Sequence, residues 1–258
     1  MMDWLYPLPI FWMTAIVVAG VGVISVLIYV VVFALAARGW TPAFKAMSPV
    51  MLTPLAVVFG LIVGFLCAQV WADSERANAA VIREAGALRG VTLFAQGFPE
   101  PTEARINDLV RRHIRDAVEK EWPAMARHQL TLPPMTEVDI EVVDFILSLK
   151  PENEAQSNAQ REMVSSLRNA YDARRERLVI SRAKINWVKW TVVLVLGTLI
   201  LVTIALVHSD NRATAAIAMG LFGTAMAACV VLIASHNEPF TGEISVSPTL
   251  LLQVLPKQ

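Results

Sequence analysis

The sequence predicts an all-α integral membrane protein, and three observations predict it. Four apolar runs are long enough to cross a bilayer, a charged stretch of helical period separates the second run from the third, and β-branched alternation is absent over any useful length. Of 258 residues, 55% are hydrophobic and only 17% charged, with a mean hydropathy of +0.53, which is richer in apolar residues than a globular average. The charges are unevenly placed: of 22 Lys+Arg and 22 Asp+Glu, 18 of each lie between Trp71 and Lys189. One part of the chain is composed for lipid and another for water.

The first span is the uncharged run from Ile10 to Ala37, about 28 residues, which at ~1.5 Å per residue exceeds the ~30 Å hydrocarbon core. It reads as a retained span rather than a signal peptide, because Met1 to Pro9 holds Asp3 and no Lys or Arg. The second span, Leu52 to Val70, opens near Pro49 and Pro54 and closes at Trp71 and Asp73. Trp190 to Val207 and Ala213 to Ala234 are the third and fourth. Only His208 to Arg212 joins them, so they form an antiparallel hairpin.

An even number of spans puts both termini and the charged domain on one side. Within reach of the span ends, that side carries Arg76, Arg83, Arg174, Arg175, Arg177, Arg182, Lys184 and Lys189, against Arg38, Lys45 and Arg212 on the other. By the excess of cations on cytoplasmic loops, domain and termini are expected inside. The organisation is a first helix pair (1–71), a cytoplasmic helical domain (72–188), a second hairpin (189–234) and a cytoplasmic tail (235–258).

Within the domain, Ile106, Leu109, Val110, Ile114, Ala117, Val118 and Trp122 trace one face of a helix between Pro101 and Pro123. A second helix runs from about Thr136 to Leu149, between Pro134 and Pro151. The third carries Ala155, Ala159, Met163, Leu167, Tyr171, Leu178 and Ile185 with no Gly or Pro from Glu152 to Trp190, and is expected to run directly into the third span. Asp73 to Leu88 extends the second span in the same way. Two stalk helices with two shorter ones form a bundle continuous with the second and third spans.

Several residues could carry function. Phe59, Ile62 (or Val63), Leu66 and Gln69 recur at three and four on the second span, so they are candidates for a hydrophobic constriction ending in an amide. An apolar stripe is equally what a packing face looks like. Gly60 and Gly64 form a GxxxG pair that permits close helix approach, within a subunit or between copies. At the hairpin tip, Asp210 or Asn211 can cap the fourth span, and Arg212 could ring an outer vestibule. Asp73, Glu75, Glu238 and Glu243 flank the inner boundary as a candidate regulatory or cation site, while Leu250 to Leu255 can anchor the tail.

Other classes find little in the sequence. Zero net charge argues against nucleic acid as a partner. Cys67 and Cys229 sit in apolar runs and imply no disulfide framework. There is no HExxH, GxSxG, Walker loop or nucleotide fingerprint, and His113, His128, His208 and His236 are dispersed, so neither catalysis nor a cofactor is expected. No charge interrupts Leu52–Val70, Trp190–Val207 or Ala213–Ala234, which disfavours a proton-coupled transporter.

The blocks LTPLAVVFGLIVGFL (Leu52 to Leu66), INWVKW (Ile185 to Trp190), HSDNRATAAIAMGLFG (His208 to Gly223) and SHNEPFTGEISVSP (Ser235 to Pro248) resemble those of the bestrophin-like bacterial membrane proteins. The resemblance covers nearly the whole chain. It implies kinship with bestrophins, pentameric anion channels with cytosolic termini, and hence a homo-oligomeric, chloride-conducting channel of the bacterial inner membrane. The sequence departs from bestrophins in lacking the aromatic-rich motif of their constriction and a recognisable acidic calcium cluster. The competing expectation is a non-conducting scaffold or sensor, which an exposed apolar patch on Ile106 to Trp122 would favour.

Overall fold

The computed structural model describes residues 8–46, 49–127, 129, 136–183 and 185–256. Asp3, His128, Pro134 and Lys184, used in the sequence argument, lie outside the described residues. Every regular element among the described residues is helical. In chain order these are α1 (Ile10–Leu35), α2 (Thr41–Lys45), α3 (Leu52–Ala95), α4 (Glu100–Asp116), α5 (Trp122–Ala126), α6 (Glu137–Ser148), α7 (Glu154–Ile180), α8 (Trp187–Val207), α9 (Arg212–Ser235) and α10 (Thr249–Gln253). Four stretches are long and apolar enough to cross a membrane: Ile10–Lys45, Pro49–Ala95, Trp187–Val207 and Arg212–Ser235.

Local chemistry sets most boundaries. α1 starts after Pro9 and gives way at Ala36 to a wider π-type turn, in which Gly39 takes φ 93°, a conformation open to residues without a Cβ. Pro54 falls in the first turn of α3, where no intrahelical N–H is lost. α6 is closed by a capping box: the Thr136 hydroxyl accepts from Asp139 N–H at 3.2 Å, and the Asp139 carboxylate accepts from Thr136 N–H at 2.8 Å.

The chain divides into two compact units. The first is Met1–Trp71 with Lys184–Asn237. Here α1 packs along α8 and α9, and Phe59, Val63, Leu66 and Val70 of α3 join Val193, Ile200, Leu201, Met226 and Ile233 in one core. At Gly197 a Cβ would lie 2.5 Å from the Met226 sulfur, so the glycine is what lets this methionine bury between α8 and α9.

The second unit is Ala72–Ala183 with Glu238–Gln258. The remainder of α3 packs its Ala77, Val81, Leu88 and Val91 against α4, α6 and α7. Of the apolar face read from Ile106, Leu109, Val110, Ile114, Ala117, Val118 and Trp122, every residue but the half-buried Val118 is core and at most 9% exposed. Full burial of such an aliphatic side chain is worth ~1.5–3 kcal/mol. The tail docks on this unit as well: Phe240 meets the Trp122 ring edge-on at 5.6 Å, Trp122 Nε1–H donates to Val246 O at 3.2 Å, and Leu251 of α10 is fully buried.

One expectation about continuity holds and one fails. α3 runs unbroken for 44 residues through Ala95, past the Leu88 limit expected. The helix expected from Glu152 to Val207 is instead two. Ser181 N–H still bonds Arg177 O at 3.0 Å, Ala183 N–H turns back onto Ile180 O at 2.8 Å, and α8 restarts under Asn186, whose side chain accepts from Val188 N–H at 3.2 Å. Asn237 Oδ1 holds the interrupted backbone by accepting from Ile185 N–H at 2.8 Å. An asparagine competes with the backbone inside a helix and satisfies an orphan donor at its start, so the break falls where Asn186 can cap.

Candidate functional site

The membrane half of α3 has two apolar sides that differ in environment. Phe59, Val63, Leu66 and Val70, spaced four, three and four, are at most 8% exposed, and Phe59 meets Phe222 of α9 at 5.7 Å between ring centroids. On the other side Val58, Leu61 and Phe65 are 44%, 57% and 72% exposed, with Ala68 exposed a turn further on. Of the stripe singled out in the sequence, Phe59 and Leu66 therefore face the core of their own unit and Ile62 is half-buried. Gln69 accepts from Lys189 Nζ at 2.6 Å, which sets a cation beside that amide. Period alone cannot tell these sides apart, because both are apolar. A Cβ at Gly60 or Gly64 would meet nothing within 4 Å, so neither glycine mediates a close helix contact among the described residues.

At the hairpin tip the capping residue is Asn211, whose side chain accepts from Ala213 N–H and Thr214 N–H, both at 3.1 Å. Asp210 pairs with Lys45 at 2.8 Å, and that ammonium holds its carboxyl below the usual carboxylate range. The Arg212 guanidinium lies 5.8 Å from the Phe33 ring centroid, directed at the end of α1.

The acidic residues read as a candidate cation site were Asp73, Glu75, Glu238 and Glu243. Among the described residues, no group of three or more His, Cys, Asp or Glu is placed to hold a metal ion. Asp73 lies 3.5 Å from Arg76, one helical turn away, while Glu75 and Glu243 are exposed and Glu238 is buried. Cys67 and Cys229 are free thiols.

The helical unit contains a constellation that the sequence argument missed. Arg177, fully buried, donates from Nε and Nη2 to the two oxygens of the fully buried Glu84 (2.7 and 2.9 Å) and from Nη2 to Glu121 (2.8 Å). Its guanidinium also stacks 4.7 Å from the Trp122 ring. Arg174 binds Glu121 through Nε (2.7 Å) and Nη2, and lies 3.5 Å from Asp139. His113 Nδ1 sits 2.7 Å from Asp139, its Nε2 is 3.8 Å from Glu84, and Tyr171 O–H donates to the Asp139 carbonyl at 2.9 Å. Three cations and three carboxylates from α3, α4, α6, α7 and the 117–121 turn thus neutralise one another away from water. The available signal was polarity inside an apolar stripe: His113 lies between Val110 and Ala117, and Arg174 between Ala170 and Leu178.

Burial by itself would drive the His113 pKa down, but the Asp139 hydrogen bond and the neighbouring Glu84 charge outweigh it and hold it at about 9. Asp139 is correspondingly lowered despite its burial, chiefly by the His113 hydrogen bond. A histidine raised on folding contributes stability that is whole below its unfolded value, ~6.5, and is lost as pH rises through its folded value. The stability of the protein should therefore fall between pH 6.5 and about 9, by about 3 kcal/mol, read as a falling melting temperature. His113→Leu should flatten that slope; an equal slope in wild type and variant would refute the assignment.

Two crystal structures of a bacterial bestrophin homologue from Klebsiella pneumoniae, each with a point mutation, share the fold. One has a TM-score of 0.74 at 8% identity over 92% of this chain and 97% of the other; the second has 0.65 at 9% identity over 92% and 96%. A crystal structure of a membrane protein variant matches with a TM-score of 0.65 at 10% identity, over 92% and 95%. No curated protein matches in sequence. The fold is bestrophin-like and, with apolar helices long enough to cross it, locates the protein to a membrane. Because the Bestrophin-like domain model matches residues 19–251, nearly the whole chain, the protein belongs to the Bestrophin-like family.

Proposed function

We propose that the protein is a homo-oligomeric ion channel of the bacterial inner membrane, conducting anions through a lumen walled by the exposed side of α3. The observation that carries this reading is the environment of that helix. Its Phe59 side is used up inside the protomer, while Val58, Leu61, Phe65 and Ala68 form an equally apolar stripe that the protomer leaves exposed. Copies of α3 around an axis turn such a stripe into a hydrophobic constriction, which gates by dewetting. Gly60 and Gly64, open on their Cβ sides, allow neighbouring copies to approach. Phe59, Ile62 and Leu66 then act by packing α3 rather than by lining the lumen.

Selectivity for anions is supported by charge: Leu52 to Val70 holds no carboxylate, and Lys189 places an ammonium beside Gln69 at its end. The count of Lys and Arg near the span ends supports a cytoplasmic helical unit with both termini inside, and family membership supports a pentamer. Enzyme activity and a bound cofactor form no part of this reading. The scaffold alternative loses its main support, since the face from Ile106 to Trp122 is buried and offers no apolar docking patch.

The test is to measure the subunit number of the purified protein and its ion flux in liposomes under chloride and potassium gradients. A pentamer with chloride flux is expected. A monomer that passes neither ion would end the channel reading, and potassium flux without chloride flux would end the anion reading.

A further inference from the structure

A groove of about 370 Å³ runs between α1 and α9 within the membrane unit. Its floor is made of small residues, Gly22, Gly220 and Gly223 among them, and exposed Val18 and Val26 rise at its rim. Two of the three hydroxyls lining it are engaged by their own helices, Ser25 donating to Val21 O at 2.9 Å and Thr224 to Gly220 O at 2.8 Å, and the third belongs to Tyr29. Apart from the Tyr29 phenol, such a surface offers water little to bond to and suits an apolar occupant.

The groove also has a charged end. Along α9 the lining residues Thr224, Gly220 and Ala216 recur at four, and the next step of four is Arg212, at the start of the helix. On α1 the steps Val26 and Tyr29 lead to Phe33, over whose ring the Arg212 guanidinium sits at 5.8 Å. Arg212 is exposed and has no carboxylate partner among the described residues, since its neighbour Asp210 is held by Lys45 at 2.8 Å. A long apolar trough leading to an unneutralised guanidinium at the boundary of a span complements an amphiphile with an acyl chain and a phosphate. We propose that the α1–α9 groove is a phospholipid-binding site, with one acyl chain in the groove and the phosphate on Arg212.

Substitution can fill the groove without crowding the protein, because a Cβ at Gly22 or Gly220 meets nothing within 4 Å. The full-length protein, stripped in mild detergent, would be incubated with phosphatidylglycerol or with diacylglycerol of the same chains, and binding counted by native mass spectrometry. Wild type should retain phosphatidylglycerol about ten-fold more tightly than the phosphate-free lipid. Arg212→Gln should abolish that preference, while Gly220→Leu should abolish retention of both lipids at an unchanged melting temperature. If Gly220→Leu unfolds, Gly22→Leu tests the groove from its other wall. Retention in the leucine variants equal to wild type overturns the site, and so does an undiminished preference in Arg212→Gln. Smaller oligomers with unchanged lipid retention in Gly220→Leu would instead assign the groove to contact between copies and overturn the proposal too.

Discussion

Replacing Arg177 with methionine is expected to destabilise the helical unit by about 3–5 kcal/mol, the cost of leaving a buried charge without its partner. Arg177 is the hub through which α7 holds α3 and the 117–121 turn, and its removal leaves Glu84, itself fully buried, with only His113 Nε2 at 3.8 Å as a charged neighbour. Methionine fills much of the volume and can lie against Met125 and Trp122, the groups the guanidinium now touches. The loss therefore measures charge rather than a cavity. Adding Glu84→Gln should recover a large part of it, because the uncompensated carboxylate is then gone. Thermal unfolding of the purified protein reads both variants, and a single variant as stable as wild type would show that Glu84 finds another partner.

Phe65→Ala is expected to raise chloride flux in liposomes by at least about ten-fold, which corresponds to lowering the barrier by ~1.4 kcal/mol. Its ring is 72% exposed in the protomer, so its loss should cost little in stability while widening and wetting the constriction. Phe59→Ala is the internal comparison. That ring is 8% exposed and packs on Phe222, so truncation should cost about 3–5 kcal/mol of stability without a comparable rise in flux. If Phe59→Ala opened the pore and Phe65→Ala did not, the side of α3 facing the lumen would be the one that its spacing first pointed to.

Both predictions turn on contacts that consecutive residues do not encode. On α3 the difficulty was degeneracy: Phe59, Ile62 and Leu66 make as good a stripe as Val58, Leu61 and Phe65, and a helix apolar on all sides has no preferred face until its neighbours are placed. In the helical unit the difficulty was distance along the chain, since Glu84 and Arg177 are 93 positions apart and nothing local pairs them. The break between α7 and α8 was closer to legible. Asn186 is a strong start signal for a helix, and it was outweighed by the absence of Gly and Pro across the stretch.

The sequence by itself determined that this chain has four helices long and apolar enough to cross a membrane and a charged helical segment between the second and third. Hydropathy and charge density are properties of consecutive residues, and a bilayer selects on them directly. It also determined the apolar face of α4, the start of α6 near Thr136 and a cap at Asp210 or Asn211, which depend on neighbours within one or two turns. Only the tertiary structure decided which side of α3 is spent on the core, that six charges from five segments neutralise one another out of water, and that Asp73, Glu75, Glu238 and Glu243 form no group of three or more placed to hold a metal ion among the described residues. Each of these depends on approach between segments remote in the chain, which packing fixes and local pattern does not.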